Sequence, residues 1–404
     1  MLWKLAWRNI WRNKRRSLIV LVSIVIGMAA LIFFDGFSNG MMQQMLSNQI
    51  SSNISHIQIH KKGFNDNKII KNILPDRQKV EQILKENAQV KFFSERVITF
   101  GLLSSASSSS GIYLYGIKPG AEEKISKIKT SIVEGNYLSD AKRDILIGKK
   151  LAEKLNVGLG DKVVAMANTP DGSIGSDVFR VTGIFETFSS EFDRSTIYIS
   201  EQTAQNMLGI DNETLEFAMI IEDFKKVDEV KANLQLKLGD EYEVLSYKDL
   251  LPMIIFSMDI YQESMFIFNL IIGLALIFGI INTMLMSVFE RINEFGVLMA
   301  MGMKNSRLFF MIVLEAFIIG IVGTIVGLIV GILIHIPLSH SGIDFSLFAE
   351  GLESFGVGAI IYPILSLGNL ISMIFLIPFI SVAGALYPAY RAIKLEPVYA
   401  INYV

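Results

Sequence analysis

The chain has no cysteine among its 404 residues. That excludes disulfides, zinc–thiolate sites, iron–sulfur clusters, a cysteine nucleophile and lipid attachment through a thiol, and it leaves the redox compartment unreadable. Histidine is scarce too, with four residues at 56, 60, 335 and 340. On an extended strand His56 and His60 lie about 13 Å apart at about 3.3 Å per residue, too far for one metal. Charged residues make up only 19% of the chain and the net charge is −2, so a strongly basic nucleic-acid binder is excluded. No G-x-x-x-x-G-K-[ST] phosphate loop is present: "IGKK" at 147–150 lacks the leading glycine and the hydroxyl. No G-x-S-x-G nucleophile elbow is present, because the one such spacing, "GFSNG" at 36–40, closes an apolar helical run and not a strand-to-helix turn, and H-E-x-x-H does not occur. No cofactor or metal is expected on this chain, no catalytic residue is assigned, and the scattered carboxylates read as solvated surface.

What is abundant is apolar sequence, 51% of residues. A hydrocarbon core about 30 Å thick takes roughly 20 apolar residues in a helix. Four runs meet that length, at 17–36, 263–289, 307–336 and 367–388, the last with Pro378 inside it. Basic loops mark the cytoplasmic side. Residues 1–16 carry Lys4, Arg8, Arg12, Lys14, Arg15 and Arg16 and no acid. The 290–306 connection carries Arg291 and Lys304, with Arg307 just beyond, and the 389–404 tail carries Arg391 and Lys394. The 337–366 connection has Asp344, Glu350 and Glu353 but no Lys or Arg. Both termini are therefore expected inside and residues 37–262 outside. The first run reads as an uncleaved anchor and not a signal peptide, because it is long and no A-x-A site follows it. The fold class is thus a four-span α-helical membrane protein with a large α+β extracytoplasmic domain inserted between spans one and two.

Within 37–262 the pattern alternates. Ile54–His60 reads as a strand, and Pro75 opens a helix through Asn87 with Val80, Ile83 and Leu84 as its apolar stripe. Lys149–Leu155 reads as a short helix, and Lys162–Ala167 with Asp177–Phe188 as a hairpin. Further strands and helices alternate to residue 247 in an α+β pattern. "SSASSSSG" at 104–111 reads as a solvated hairpin tip.

Three membrane features exceed a passive anchor. Gly323-x-x-x-Gly327-x-x-x-Gly331 lets helix backbones approach closely, either against the fourth span or against a second subunit. Glu315 sits about two turns into the third span, where a carboxylate needs a partner; water or Arg307 would supply one. Residues 288–316 are amphipathic. Phe289, Ile292, Phe295, Leu298 and Met299 recur at three- and four-residue steps, Glu290, Arg291 and Glu294 lie opposite, and Gly302 ends the helix. Such a helix between two spans suits either an interfacial position or a partner's groove.

These residues resemble a known family. "WRNIWRNKRRSLIVLVSIVIG", "ERINEFGVLMAMGMKNSRLFFMIVLEAFIIGIVGTIVG" and "YPAYRAIKLEPVYAINY" are similar, in order, to the leading helix, the central signature and the tail of FtsX-like, MacB-fold (type VII) ABC transporter permeases. "YLYGIKPGAE", "EGNYLSDAKRDILIGKKLAEKLNVGLGDKVVAM" and "FRVTGIFET" resemble the outer domain of lipoprotein-releasing (LolC/LolE-type) subunits. The resemblance implies a multi-pass protein of the bacterial inner membrane. It implies a second permease subunit in a homo- or heterodimer, and a separate cytoplasmic ATPase dimer that binds the ATP and magnesium. Mechanical movement would then reach the outer domain, to extract lipoproteins from the outer leaflet. Residues 290–302 would be the ATPase-coupling helix, with Glu290, Arg291 and Glu294 as polar contacts, Phe295 as the apolar insert, and Gly296, Met299 and Gly302 from the signature. Arg8 and Arg12 would meet the ATPase or lipid phosphates. A lipid cleft would use Phe33, Phe37, Met41, Met45, Met258, Tyr261, Met265 and Phe266. A periplasmic carrier is a further partner of such subunits, but Ala167–Ser176 is short where the chaperone-recruiting subunit carries a long hook. The alternatives implied are a MacB-like efflux permease and an FtsX-like mechanotransmitter acting on a cell-wall hydrolase.

Overall fold

The computed structural model describes residues 2–12, 14–139, 143–354 and 356–394. The expected tail motif beyond Lys394 lies outside the described residues. Two compact units emerge: residues 1–43, 257–344 and 360–404 form one, and residues 44–256 with 345–359 the other.

Helix α1 (Leu2–Arg12) precedes α2 (Lys14–Gln49), which continues well past the apolar run. The chain then enters its α+β unit. The elements are β1 (Ile57–Lys61), α3 (Arg77–Glu86), β2 (Val90–Ser104), β3 (Ser109–Ile117), α4 (Pro119–Glu122) and β4 (Ile132–Gly135). Next come β5 (Asp144–Gly148), α5 (Lys149–Leu155), β6 (Lys162–Asn168), β7 (Ile174–Phe185), α6 (Ser190–Ser195) and β8 (Thr196–Ser200). The unit closes with α7 (Glu201–Leu208), β9 (Glu216–Ile221), α8 (Val227–Leu238), β10 (Tyr242–Ser246) and α9 (Tyr247–Leu250).

The strands form one ten-stranded mixed sheet, ordered β10-β1-β9-β2-β3-β8-β5-β7-β4, with β6 bridging β2 and β7. The pairs β3–β8 and β5–β7 are parallel, and the other pairs antiparallel. Helix α7 lies directly on β3: a Cβ on Gly116 would strike Ala204, so only glycine allows the approach. Two sequence expectations shift. The strand starts at Ile57 and not Ile54, because Ile50–Ile54 forms a π-helical turn. Helix α3 starts at Arg77, since Asp76 caps it by accepting from the Lys79 N–H at 2.9 Å.

The outer carboxylates are not all solvated surface. Glu95, Glu122, Asp193, Glu201 and Glu216 are buried. Arg96, fully buried, donates to both oxygens of Glu122 (2.6 and 3.0 Å) and to Glu216 at 2.8 Å, and His60 Nε2 lies 2.8 Å from Glu216. Burial works to raise the Glu216 pKa, but the hydrogen bonds from His60 and Arg96 and their charges outweigh it and hold it below the ordinary 4.5.

The other unit continues with α10 (Pro252–Glu290), α11 (Ile292–Ala300), α12 (Asn305–Ser341), β11 (Ile343–Asp344), β12 (Ile360–Ile361) and α13 (Leu367–Ile393), β11 and β12 pairing antiparallel. Among the described residues four helices are long and apolar enough to cross a membrane: α2, α10, α12 and α13. The glycine ladder faces α2, not the fourth span. A Cβ on Gly323, Gly327 or Gly331 would come within 2.6 Å of Ile24, 2.7 Å of Met28 and 2.6 Å of Ile32. Three slots at four-residue steps thus receive three side chains at four-residue steps, ridge into groove. The fourth span meets Gly320 instead, where a Cβ would lie 2.7 Å from Ser381.

Candidate functional site

The site is built at the α10–α11 junction. The long helix ends at Glu290, Arg291 takes a non-helical turn, and α11 restarts at Ile292. Glu290 therefore closes α10 and is not part of the short helix. Met301 caps α11 and Gly302, at φ +92°, reverses the chain toward α12. The break at Arg291 sends its side chain inward. Arg291 and Glu315 are 6% and 8% exposed, and Arg291 Nη1 donates to both Glu315 oxygens at 3.0 and 3.2 Å. The partner of Glu315 is thus Arg291 and not Arg307.

Three elements meet on this pair. From α1, Asn9 Nδ2 donates to Glu315 Oε1 at 2.6 Å. On α11, Glu294 accepts from Arg291 Nε at 3.4 Å and is ion-paired with Arg12 of α1. Phe295 is fully buried in the helical core, with the Arg291 guanidinium 5.0 Å from its ring centre. Arg291 and Phe295 therefore point into the bundle, and the expected partner-facing roles of both are corrected by that burial. Gly296 is also buried, Met299 half-buried, and Asn293, Glu294 and Val297 form the exposed side of α11. A cavity of about 20 Å³ lined by Asn9, Ser17, Thr283, Ser287, Arg291 and Glu315 has room for one water. The arrangement moves no bonds. It ties α1, α11 and α12 together by charge where the dielectric is low.

The proposed lipid-cleft residues divide. Phe33 and Phe37 stack at 6.3 Å on α2, and Phe34 packs at 5.0 Å against Phe268 of α10. Phe33 and Phe266 are exposed, Phe266 at 70%. Phe37, Met41, Met258 and Tyr261 are half-buried. Met265 is 4% exposed and is a packing residue, which corrects its assignment to an open cleft. Met45 falls in the α+β unit. Sequence reasoning missed Asp35, buried on α2 and accepting from Asn369 Nδ2 of α13 at 2.6 Å. An acid inside an apolar run was the available signal.

Residues 17–236 match the MacB-like periplasmic core domain, and residues 266–397 match the FtsX-like permease C-terminal domain. The chain belongs to the FtsX-like ABC transporter permeases. It is 24% identical over 95% of its length to the lipoprotein-releasing system transmembrane protein LolC of Buchnera aphidicola, covering 93% of that protein. It is 24% identical over 96% of its length to the macrolide export ATP-binding/permease protein MacB of Campylobacter fetus, of which it spans 58%. The periplasmic region of MacB from Actinobacillus actinomycetemcomitans matches 52% of the chain at 15% identity, with a TM-score of 0.37 and 98% of that structure covered. Membership makes this FtsX-like permease a multi-pass membrane transport subunit that works with an ATPase partner.

Proposed function

We propose that this permease couples ATP hydrolysis by a separate cytoplasmic ATPase dimer, which binds the ATP and magnesium, to movement of its outer domain that extracts lipoproteins from the outer leaflet. Its termini are cytoplasmic, as the basic segment 1–16 indicates. A second permease subunit completes the dimer.

The observation that carries the reading is α11. Its exposed side presents Asn293 and Val297 to a partner's groove, with Glu294 beside them already paired to Arg12, while Arg291 and Phe295 anchor the same helix into the bundle. A push on the exposed side is delivered to α12 through the Arg291–Glu315 pair. The cargo class comes from LolC relatives that align over nearly the full chain.

The test is copurification with its partner ATPase, with a photocrosslinker at Phe33 or Phe266 and, as a buried control, at Met265. Acylated peptides attached at Phe33 and Phe266 and absent at Met265 are expected. Capture of unacylated peptides or small molecules alone would transfer the assignment to efflux, which the MacB relatives make the second reading. A cell-wall hydrolase recovered with the full chain, with no cargo, would transfer it to mechanotransmission.

A further inference from the structure

All three tryptophans of the chain, Trp3, Trp7 and Trp11, stand on α1 at four-residue steps, so they share one face. Each is exposed, at 56%, 46% and 55%. The opposite face is docked: Ala6 is fully buried and Asn9 is bonded to Glu315. Between the tryptophan face and the bundle runs a groove of about 290 Å³. Trp7, Ile10 and Trp11 form one wall, Leu18 and Leu21 of α2 the floor, and Ile318, Ile319 and Val322 of α12 the far wall. The groove is almost wholly apolar, and Lys14 lines it at the α1–α2 junction. Lys4, Arg8 and Arg15 are exposed nearby, and residues 1–16 contain no acid.

Indole rings settle where hydrocarbon meets headgroups, and basic side chains beside them attract anionic lipid. An apolar slot with a cation at its mouth has the form of one phospholipid: a chain in the slot, a phosphate at the ammonium. We infer that the α1–α12 groove is a binding site for an anionic phospholipid of the leaflet at which α1 lies, with one acyl chain along Trp7, Trp11 and Val322 and the phosphate on Lys14. The Arg12–Glu294 pair leaves Arg12 engaged, so Lys14 is the cation assigned to the phosphate. The site rests on the membrane assignment and not on the cargo. A bound lipid here wedges α1 against α12, beside the Asn9–Glu315 contact.

Because every tryptophan lies on α1, emission excited at the red edge of the indole band, where the 12 tyrosines do not absorb, reports this helix alone. The full chain, carrying Trp3→Phe so that Trp7 and Trp11 are the indoles that emit, is placed in lipid vesicles containing dibrominated phosphatidylglycerol or dibrominated phosphatidylcholine in a neutral background. Quenching by the brominated phosphatidylglycerol is expected at roughly one-fifth of the mole fraction that phosphatidylcholine requires, the preference one basic group supplies at a membrane surface. Lys14→Gln should remove that preference, and Lys4→Gln, outside the groove, should keep it. Val322→Phe, which fills the groove from α12, should weaken quenching by both lipids. Equal quenching by the two headgroups, or a preference that survives Lys14→Gln, overturns the inference. Quenching by aqueous acrylamide in place of brominated lipid would assign the face to water or a protein partner, and equally overturns it.

Discussion

Replacing Arg291 by methionine tests the charge tether directly. Arg291 and Glu315 are both more than nine-tenths buried and share two hydrogen bonds of 3.0 and 3.2 Å. Removing one member of a buried pair leaves the other uncompensated, at a cost of about 3–5 kcal/mol. Arg291→Met leaves Glu315 with Asn9 as its one donor among the described residues, so it should fall at the upper end. Glu315→Leu leaves Arg291 its 3.4 Å contact to Glu294 and should cost less. The double variant restores an apolar contact, and its destabilisation should be well below the sum, with a coupling of about 2 kcal/mol or more. Reversible unfolding in mixed micelles measures all four corners of the cycle. ATPase activity of the reconstituted complex is followed beside it, and the double variant is expected to fold but to lose cargo-dependent stimulation. Single effects that add to within about 0.5 kcal/mol would mean that the pair does not interact, and the account of the site would fail.

Three further outcomes follow from the packing and the charges. Gly327→Leu forces a side chain into Met28, where even a Cβ lies 2.7 Å away, and should cost at least about 1–3 kcal/mol by thermal unfolding, whereas the same change at Gly279, which faces open space, should be nearly silent. Arg96→Met strands Glu122 and Glu216 in the core of the α+β unit and should cost about 3–5 kcal/mol; because Glu216 ionises below 4.5, the lost stability is present above pH 4.5 and disappears as pH falls below it, so wild type and variant should converge in acid. Glu201 is pushed up to about 7 by burial, with Glu95 adding and Lys118 and Arg77 opposing; the folded state then holds a proton that the unfolded state releases near 4.5, so stability falls as pH rises from 4.5 through about 7, and Glu201→Gln should flatten that decline in a pH series of melting temperatures.

The spans were readable because an uncharged run of that length has one common explanation, and α5 because Leu151, Ala152 and Leu155 fall on one helical face. The first strand was misplaced for a physical reason. β1 sits between β10 and β9 and buries residues on both faces, so alternation carried no information, and Ile54 belongs to a turn. At the site, spacing showed that Glu290–Gly302 was amphipathic but not that the backbone breaks at Arg291. That break turns an apparently polar residue into a core one, and Glu315, its partner, lies on another helix. The glycine spacing was visible likewise, while its partner, Ile24-Met28-Ile32, needed three dimensions. Buried Arg96 and its carboxylates look in sequence like any surface charges among lysines.

The glycine ladder has a consequence for how this membrane unit moves. Two helices notched into each other at three successive turns cannot slide or roll without lifting three side chains from their slots at once. α2 and α12 therefore behave as a single stiff post. α10 meets α2 at a single looser slot, where a Cβ on Gly27 would lie 3.2 Å from Leu276, and its buried stripe, Gly273, Leu276, Ile280, Met284 and Val288, leaves most of its surface uncovered. Freedom is thus distributed unevenly among the spans. The helix that ends at Arg291 is the one that can swing, and the post beside it holds the fulcrum.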